Sequence, residues 1–182
     1  WMKHIQINND KFSEYLSEKK IQQRIKQLGK KISKDYKGKT PIFVGVLNGA
    51  ALFLSDLVRN ISIDLEIDFL KLSSYGNEKI SSGSVKMLKD LDVHIGGRDI
   101  IIVEDIVDTG LSIEFIKKLV FPRNPSSVRV VSLLYKKRKS KPAKKENINY
   151  IGFEIPDYFV IGYGLDHTQK YRNLRAIYKL SN

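Results

Sequence analysis

The sequence predicts an α/β fold, a mostly parallel central sheet with helices on both faces. Three observations carry this: short apolar runs bounded by turn residues, amphipathic helical repeats between them, and an acidic pair that closes one of the runs. With 182 residues the chain has the length of one ordinary domain, and a single domain over residues 1–182 is expected. Trp1 ahead of Met2 reads as an expression remnant.

Between Ser17 and Tyr36, the apolar residues Ile21, Ile25, Leu28, Ile32 and Tyr36 recur at three- and four-residue steps, the spacing of a helix with one face on a core. Ser17 is its expected N-cap, since a serine hydroxyl accepts an orphan amide of the first turn. Ile42 to Leu47 is a continuous apolar run after Gly38 and Pro41, and reads as a strand buried on both faces. Asn48 and Gly49 interrupt it. Helical spacing returns over 50–59 through Leu52, Phe53, Leu57 and Val58, and Ile63 to Leu72 reads as the next strand. The polar stretch 73–84 is a long connection of the kind that carries function. Gly96 and Gly97 lead into a strand at Ile100 to Val103, and Ile113, Ile116, Leu119 and Val120 mark the helix after it. Val128 to Leu134, Tyr150 to Ile155 and Phe159 to Gly162 are the remaining strands.

A hydrophobic fraction of 42% and a charged fraction of 29% belong to a globular chain and exclude general disorder. No apolar run nears the ~20 residues that cross a bilayer, and no secretory pattern opens the chain, so a soluble cytoplasmic protein with no membrane partner is expected. The absence of cysteine excludes disulfides, thiolate nucleophiles and cysteine-held zinc. The net charge of +12 has two local sources. Lys19, Lys20, Arg24, Lys26, Lys30, Lys31 and Lys34 lie on the first helix, where a solvated face accounts for them. Lys136, Lys137, Arg138, Lys139, Lys141, Lys144 and Lys145 crowd a second segment, either a solvated loop or a site for a polyanion.

In open parallel sheets ligands bind outside the carboxyl ends of the strands, where helix N-termini present free amides. Ile101 to Ser112 fits that place. Its apolar lead ends in Glu104 and Asp105, which are expected at the strand tip, and Asp108, Thr109, Gly110 and Ser112 open the next helix. Free amides, two hydroxyls and a glycine suit a phosphate monoester. Two adjacent carboxylates would repel that phosphate unless Mg²⁺ or sugar hydroxyls intervene. Solvated turn residues with Asp108 as a helix cap are the alternative on residue chemistry alone. The glycine fingerprints of dinucleotide and P-loop sites are absent.

The octapeptide Val103-Glu104-Asp105-Ile106-Val107-Asp108-Thr109-Gly110 closely resembles the phosphoribosyl pyrophosphate signature of the type I phosphoribosyltransferases, within them the branch acting on hypoxanthine and guanine. The resemblance runs in register from Ile21 to Leu174. Val46 to Gly49 resembles the pyrophosphate loop, Asp68 to Gly76 the start of a mobile loop, Phe159 to Asp166 the purine-pocket strand, and Lys170 to Leu174 a closing motif. It implies the family's fold, with a small hood built from N- and C-terminal segments, and transfer of phosphoribose from the pyrophosphate donor to a 6-oxopurine, giving IMP or GMP with Mg²⁺ as cofactor. A homodimer or homotetramer is implied as well.

Residue by residue, the resemblance implies that Glu104 and Asp105 hold the ribose hydroxyls, directly or with Mg²⁺, and that the loop Asp108, Thr109, Gly110, Leu111 and Ser112 binds the 5-phosphate. Asp108 would take the purine proton. Leu47, Asn48, Gly49 and Arg172 would contact pyrophosphate, and Asp166 would ligate a second Mg²⁺. Lys136 would donate to the oxygen on purine C6, Phe159 would stack on the ring, and the Val160 backbone would read its edge. Ser74 and Tyr75 match the lid. Three positions depart from the pattern: Asn48 lacks the usual positive charge, Ala50 replaces a second glycine, and Leu111 leaves only a backbone role. An RNA-binding regulator on the same fold is the competing reading. Nucleic acid is not the expected partner, because Lys136, Phe159 and Asp166 favour the enzyme.

Overall fold

The computed structural model describes residues 3–74, 85–138 and 143–181. Their elements run β1 (His4–Ile7), β2 (Asp10–Leu16), α1 (Glu18–Asp35), β3 (Ile42–Leu47), α2 (Ala51–Val58), β4 (Glu66–Ser74), β5 (Val85–Lys89), β6 (Asp99–Val107), α3 (Leu111–Val120), β7 (Ser127–Lys137), β8 (Tyr150–Pro156), β9 (Val160–Ile161) and β10 (Ile177–Ser181). Six strands form the central sheet in the order β5-β4-β3-β6-β7-β8. All its pairings are parallel except β4 with β5 at one edge. A second sheet, β1-β2-β10-β9, is antiparallel and joins the first residues to the last.

The central sheet is covered on both faces, which is why its strands read as unbroken apolar runs rather than alternating ones. Ile101 and Val103 of β6 face Ile21, Ile25 and Ile32 of α1 and Phe53 and Leu57 of α2. Ile100 and Ile102, one step along, face Ile113, Ile116 and Val120 of α3. Ser17 caps α1 by accepting the Lys20 amide, as expected. Arg24 of that helix is turned to structural use, donating to the carbonyls of Gly152 and Ile151 at 2.7 and 2.8 Å. Lys19, Lys20, Lys26, Lys30, Lys31 and Lys34 are exposed. The small sheet sits on the same core: Leu16, Val160 and Ile177 belong to the cluster that contains Ile101 and Val103.

Several boundaries move. The hairpin β1–β2, the edge strand β5 and the last strand β10 are additions to the expected elements. The strand expected from Ile63 begins at Glu66 and runs to Ser74, so Asp68 to Ser74, expected as the start of a mobile loop, is strand. β6 continues through the acidic pair to Val107, and β7 through Lys136 to Lys137. Tyr75 and the rest of the polar stretch to residue 84 lie outside the described residues.

Asp68 has a scaffolding role. Its carboxylate accepts the amide of Phe69 at 2.7 Å on one oxygen and those of Asp92 and Val93 at 2.8 and 3.1 Å on the other. Burial pushes this carboxyl up, but the three amides and the Lys89 ammonium outweigh it and hold it below its ordinary value. A depressed carboxyl contributes stability that is full above its unfolded-state value and is lost as pH falls through the folded one. Asp68→Asn is expected to cost about 2 kcal/mol at neutral pH, with the deficit shrinking in strong acid. Thermal melts of both proteins across pH check this; a constant deficit down to acid pH contradicts it.

Candidate active site

β6 and the loop after it form the first part of the site. Glu104 and Asp105 stand inside the strand rather than at its tip, since Glu104 pairs with Ser132 and Ile106 with Leu134 of β7. The ladder continues past the acids because Ile106 and Val107 still have core to fill on either face. Neighbouring strand residues point to opposite sides, and the two carboxylates diverge accordingly. Glu104, 5% exposed, lines a cavity of about 80 Å³ together with Asp108, Thr109, Gly110 and Ser112. Gly110 has a φ of 81°, a left-handed conformation that costs an L side chain about 1–2 kcal/mol. It stands at the N-cap of α3 without any side-chain cap, so the first amides of that helix, from Leu111 and Ser112 onward, are left for an anion.

Asp105 turns toward a different set of residues. The Leu47–Asn48 peptide is cis, and the chain turns through Asn48 and Gly49 into α2. A Cβ placed on Gly49 would stand 1.9 Å from Oδ2 of Asp105, and one on Gly164 would stand 2.1 Å from the Gly49 carbonyl oxygen. Three backbone and side-chain groups are thus stacked in direct contact, which only glycine at both positions allows. Arg172 closes the group, donating to the Gly164 carbonyl at 2.7 Å and pairing with Asp166 at 2.9 Å. Burial pushes Asp105 up to about 6 against the opposing pull of the Ile106 amide and Arg172, and Asp166 adds to the rise. Burial, and then the Asp105 charge, push Glu104 well above the ordinary carboxylate range.

Two shielded carboxylates, each raised by burial and by a neighbouring acid, are short of positive charge, and their all-oxygen donor set fits Mg²⁺. No cluster of three or more Asp, Glu or His among the described residues makes a ready metal cage. That fits an ion which takes much of its shell from substrate oxygens.

The third part lies where β7 ends. Lys136, its side chain 13% exposed, stands 3.7 Å from Oδ2 of Asp108 and 3.5 Å from Asp157. Arg138 donates to Oδ1 of Asp108 at 3.0 Å and stands 3.3 Å from Asp157. Beyond them Phe159 is 46% exposed, a large apolar ring left open on the surface. It is braced by Phe12 at 6.1 Å and by the edge of His167 at 5.7 Å between ring centroids. Val160 points its side chain into the core, pairing with Lys179 in the small sheet.

Of the residues singled out from the sequence, Glu104, Asp108, Thr109, Gly110 and Ser112 line one cavity, and Leu111 is half exposed beside it. Gly49, Asp105, Asp166 and Arg172 form a connected group, with Leu47 at the end of β3 and Asn48 in the turn that delivers Gly49. Lys136 joins Asp108 by charge. Ser74 is the last residue of β4, and Tyr75 lies outside the described residues. Arg138, Asp157, Phe12 and His167 were not foreseen. Arg138 was hidden in a basic run, and Asp157 and Phe12 arrive from segments far away in the chain; only His167, directly after Asp166, had a local signal.

A parallel sheet that gathers an uncapped helix N-terminus, an acidic pair and a glycine turn at its carboxyl edge defines a site for a phosphorylated sugar. The chain belongs to the phosphoribosyl transferase domain family, whose model matches residues 11–168. Among its relatives, the hypoxanthine-guanine phosphoribosyltransferase of Bacillus subtilis (strain 168) is 45% identical over 162 residues, 89% of each chain. The bifunctional protein TilS/HprT of Listeria innocua is 42% identical over 94% of this chain, which spans 26% of that longer protein. The crystal structure of a Bacillus anthracis hypoxanthine-guanine phosphoribosyltransferase, 40% identical, superposes with a TM-score of 0.86 over 93% of this chain and 98% of that one.

Proposed function

We propose that the chain transfers the 5-phosphoribosyl group from phosphoribosyl pyrophosphate to hypoxanthine or guanine, giving IMP or GMP and pyrophosphate in purine salvage. The observation that carries the choice of acceptor is the placing of Lys136 Nζ 3.7 Å from Asp108 Oδ2. A 6-oxopurine presents O6 and N7 side by side on one edge. An ammonium beside a carboxylate is the matching pair: Lys136 donates to O6 while Asp108 receives the proton from N7. Adenine offers an amino donor at C6 and would leave the ammonium unpaired.

In the reaction the purine N9 forms a bond to the ribose C1, the bond from C1 to pyrophosphate breaks, and the N7 proton passes to Asp108. The transition state has oxocarbenium character, as in glycosyl transfer generally. The amides that open α3, with Thr109 and Ser112, hold the 5-phosphate, and Leu111 contributes only its backbone. Glu104 holds the ribose hydroxyls from the cavity it lines. Gly49, Leu47, Asn48 and Arg172 receive the pyrophosphate, whose charge is met by Arg172 in place of the basic residue that Asn48 replaces. Glu104 on one side of β6, and Asp105 with Asp166 on the other, would help hold Mg²⁺, which when bound would supply positive charge to the donor's diphosphate. Phe159 stacks on the purine.

The small sheet acts as a hood over the central sheet, and Ser74 with Tyr75 belongs to the lid. The assembly we infer, a homodimer or homotetramer, rests on the family alone, and light scattering reads it. A cytoplasmic location suits a chain without cysteine; no helix among the described residues is long and apolar enough to cross a membrane. The test of the activity supplies the donor and Mg²⁺ with hypoxanthine, guanine, xanthine or adenine separately and measures nucleotide formed. Hypoxanthine and guanine are expected to lead; adenine as the best acceptor overturns the role of Lys136.

A further inference from the structure

The basic run at the end of β7 is not absorbed by the reading above, apart from Lys136. Lys137 and Lys145 both pair with Glu154 on the neighbouring strand and are held by it. Arg138 is engaged otherwise. Its Nη1 donates to Oδ1 of Asp108 at 3.0 Å, while its Nε lies 3.3 Å from Oδ2 of Asp157. Lys136 spans the same two acids through their other oxygens, at 3.7 and 3.5 Å. Two cations and two carboxylates alternate around a neutral square.

A carboxylate on a loop, its side chain 41% exposed, would turn freely and present either oxygen to a substrate. A guanidinium is a planar, permanently charged fork and removes that freedom when one of its nitrogens holds one oxygen. Arg138 Nε is buried and hydrogen-bonded to nothing among the described residues, so Asp157 holds the arginine by charge and leaves it room to follow Asp108. The charged groups that face Asp108 are Lys136 and Arg138 from β7 and its end, with Asp157 behind them after β8, and Glu104 of β6 across the shared cavity.

We infer that Arg138 is a positioning residue for phosphoribosyl transfer: by occupying Oδ1 of Asp108 it aims Oδ2 at the purine edge beside Lys136. This rests on the reading of Asp108 as proton acceptor. The side chain touches no reacting atom and acts only through the aspartate.

The test uses the full chain with donor, Mg²⁺ and hypoxanthine, and follows kcat and the donor KM. Arg138→Gln is expected to lower kcat about tenfold, part of the ~10²-fold or more that a general base contributes, with the donor KM unchanged. Arg138→Met, which keeps much of the stem's packing, must behave the same way. Arg138→Lys recovers part of kcat but not all of it, since a point charge lacks the fork. Lys137→Gln changes neither. In an Asp108→Asn background, Arg138→Gln adds no further loss. Wild-type kcat in both neutral Arg138 variants, with Asp108→Asn impaired, overturns the inference; so does an additive loss in the double variant. Wild-type turnover of Asp108→Asn sinks the reading of Asp108 itself instead.

Discussion

Replacing Asp108 by asparagine is expected to cut turnover by ~10²-fold or more, the contribution of a positioned general base, while nucleotide binding stays largely intact. The amide keeps the size of the carboxylate and still presents an oxygen toward Arg138, so the loop between β6 and α3 keeps its course. What it loses is the capacity to take a proton. The loss should fall on kcat rather than on the affinity for IMP, and steady-state kinetics beside equilibrium titration of IMP separates the two. Turnover near that of the wild type would remove Asp108 from the chemistry and leave it as an ion-pair partner of Lys136 and Arg138.

The second large effect is expected from Gly49→Ala. The added methyl would lie 1.9 Å from the Asp105 carboxylate, a separation no relaxed structure tolerates. One side must give way. The Gly49 carbonyl is itself seated under Gly164, so the turn has no space to retreat into and Asp105 is displaced from Arg172 and Asp166. Overpacking of this kind costs about 1–3 kcal/mol, and where all of it falls on the donor complex the kcat/KM for the donor drops about five- to 150-fold. Kinetics at varied donor concentration check it, with thermal melting to confirm the fold. An alanine variant with unchanged kcat/KM for the donor would mean that the pyrophosphate does not use this turn.

Much of the central sheet was legible because strands buried on both faces leave apolar runs that end at turns. Ile42–Leu47 was read to the residue for that reason. The small sheet was not, because its strands bury few side chains: in β2 only Phe12 and Leu16 are fully enclosed among charged neighbours, and β10 has two. Its pairing of the first residues with the last is a contact across the whole chain, which no local pattern records. The end of β6 was misjudged for a related reason. Two acids in succession look like the end of a strand, whereas the ladder to β7 carries them inside it and aims them at separate groups.

At the site, the residues of the phosphate loop were legible as a contiguous motif. The square around Asp108 was not, because Arg138 sat in a basic run whose composition suggested solvent. Pairing shows where the charge of four of its described residues goes: Lys136 and Arg138 to Asp108 and Asp157, and Lys137 and Lys145 to Glu154. A lysine-rich stretch with its own acids at hand has less attraction left for a nucleic acid backbone than its formal charge suggests.

The stretch from Phe159 to Arg172 is tied across itself by amide to carbonyl bonds, from Gly164 to Arg172 at 2.9 Å and between His167 and Lys170 at 3.1 Å in both directions. One end carries Phe159, the other Arg172, and Gly164 between them rests on Gly49. With the roles proposed above for Phe159 and Arg172, this makes a built-in ruler. The gap between incoming base and departing diphosphate would then be set by one cross-tied length of backbone rather than by two sites that must find their spacing independently.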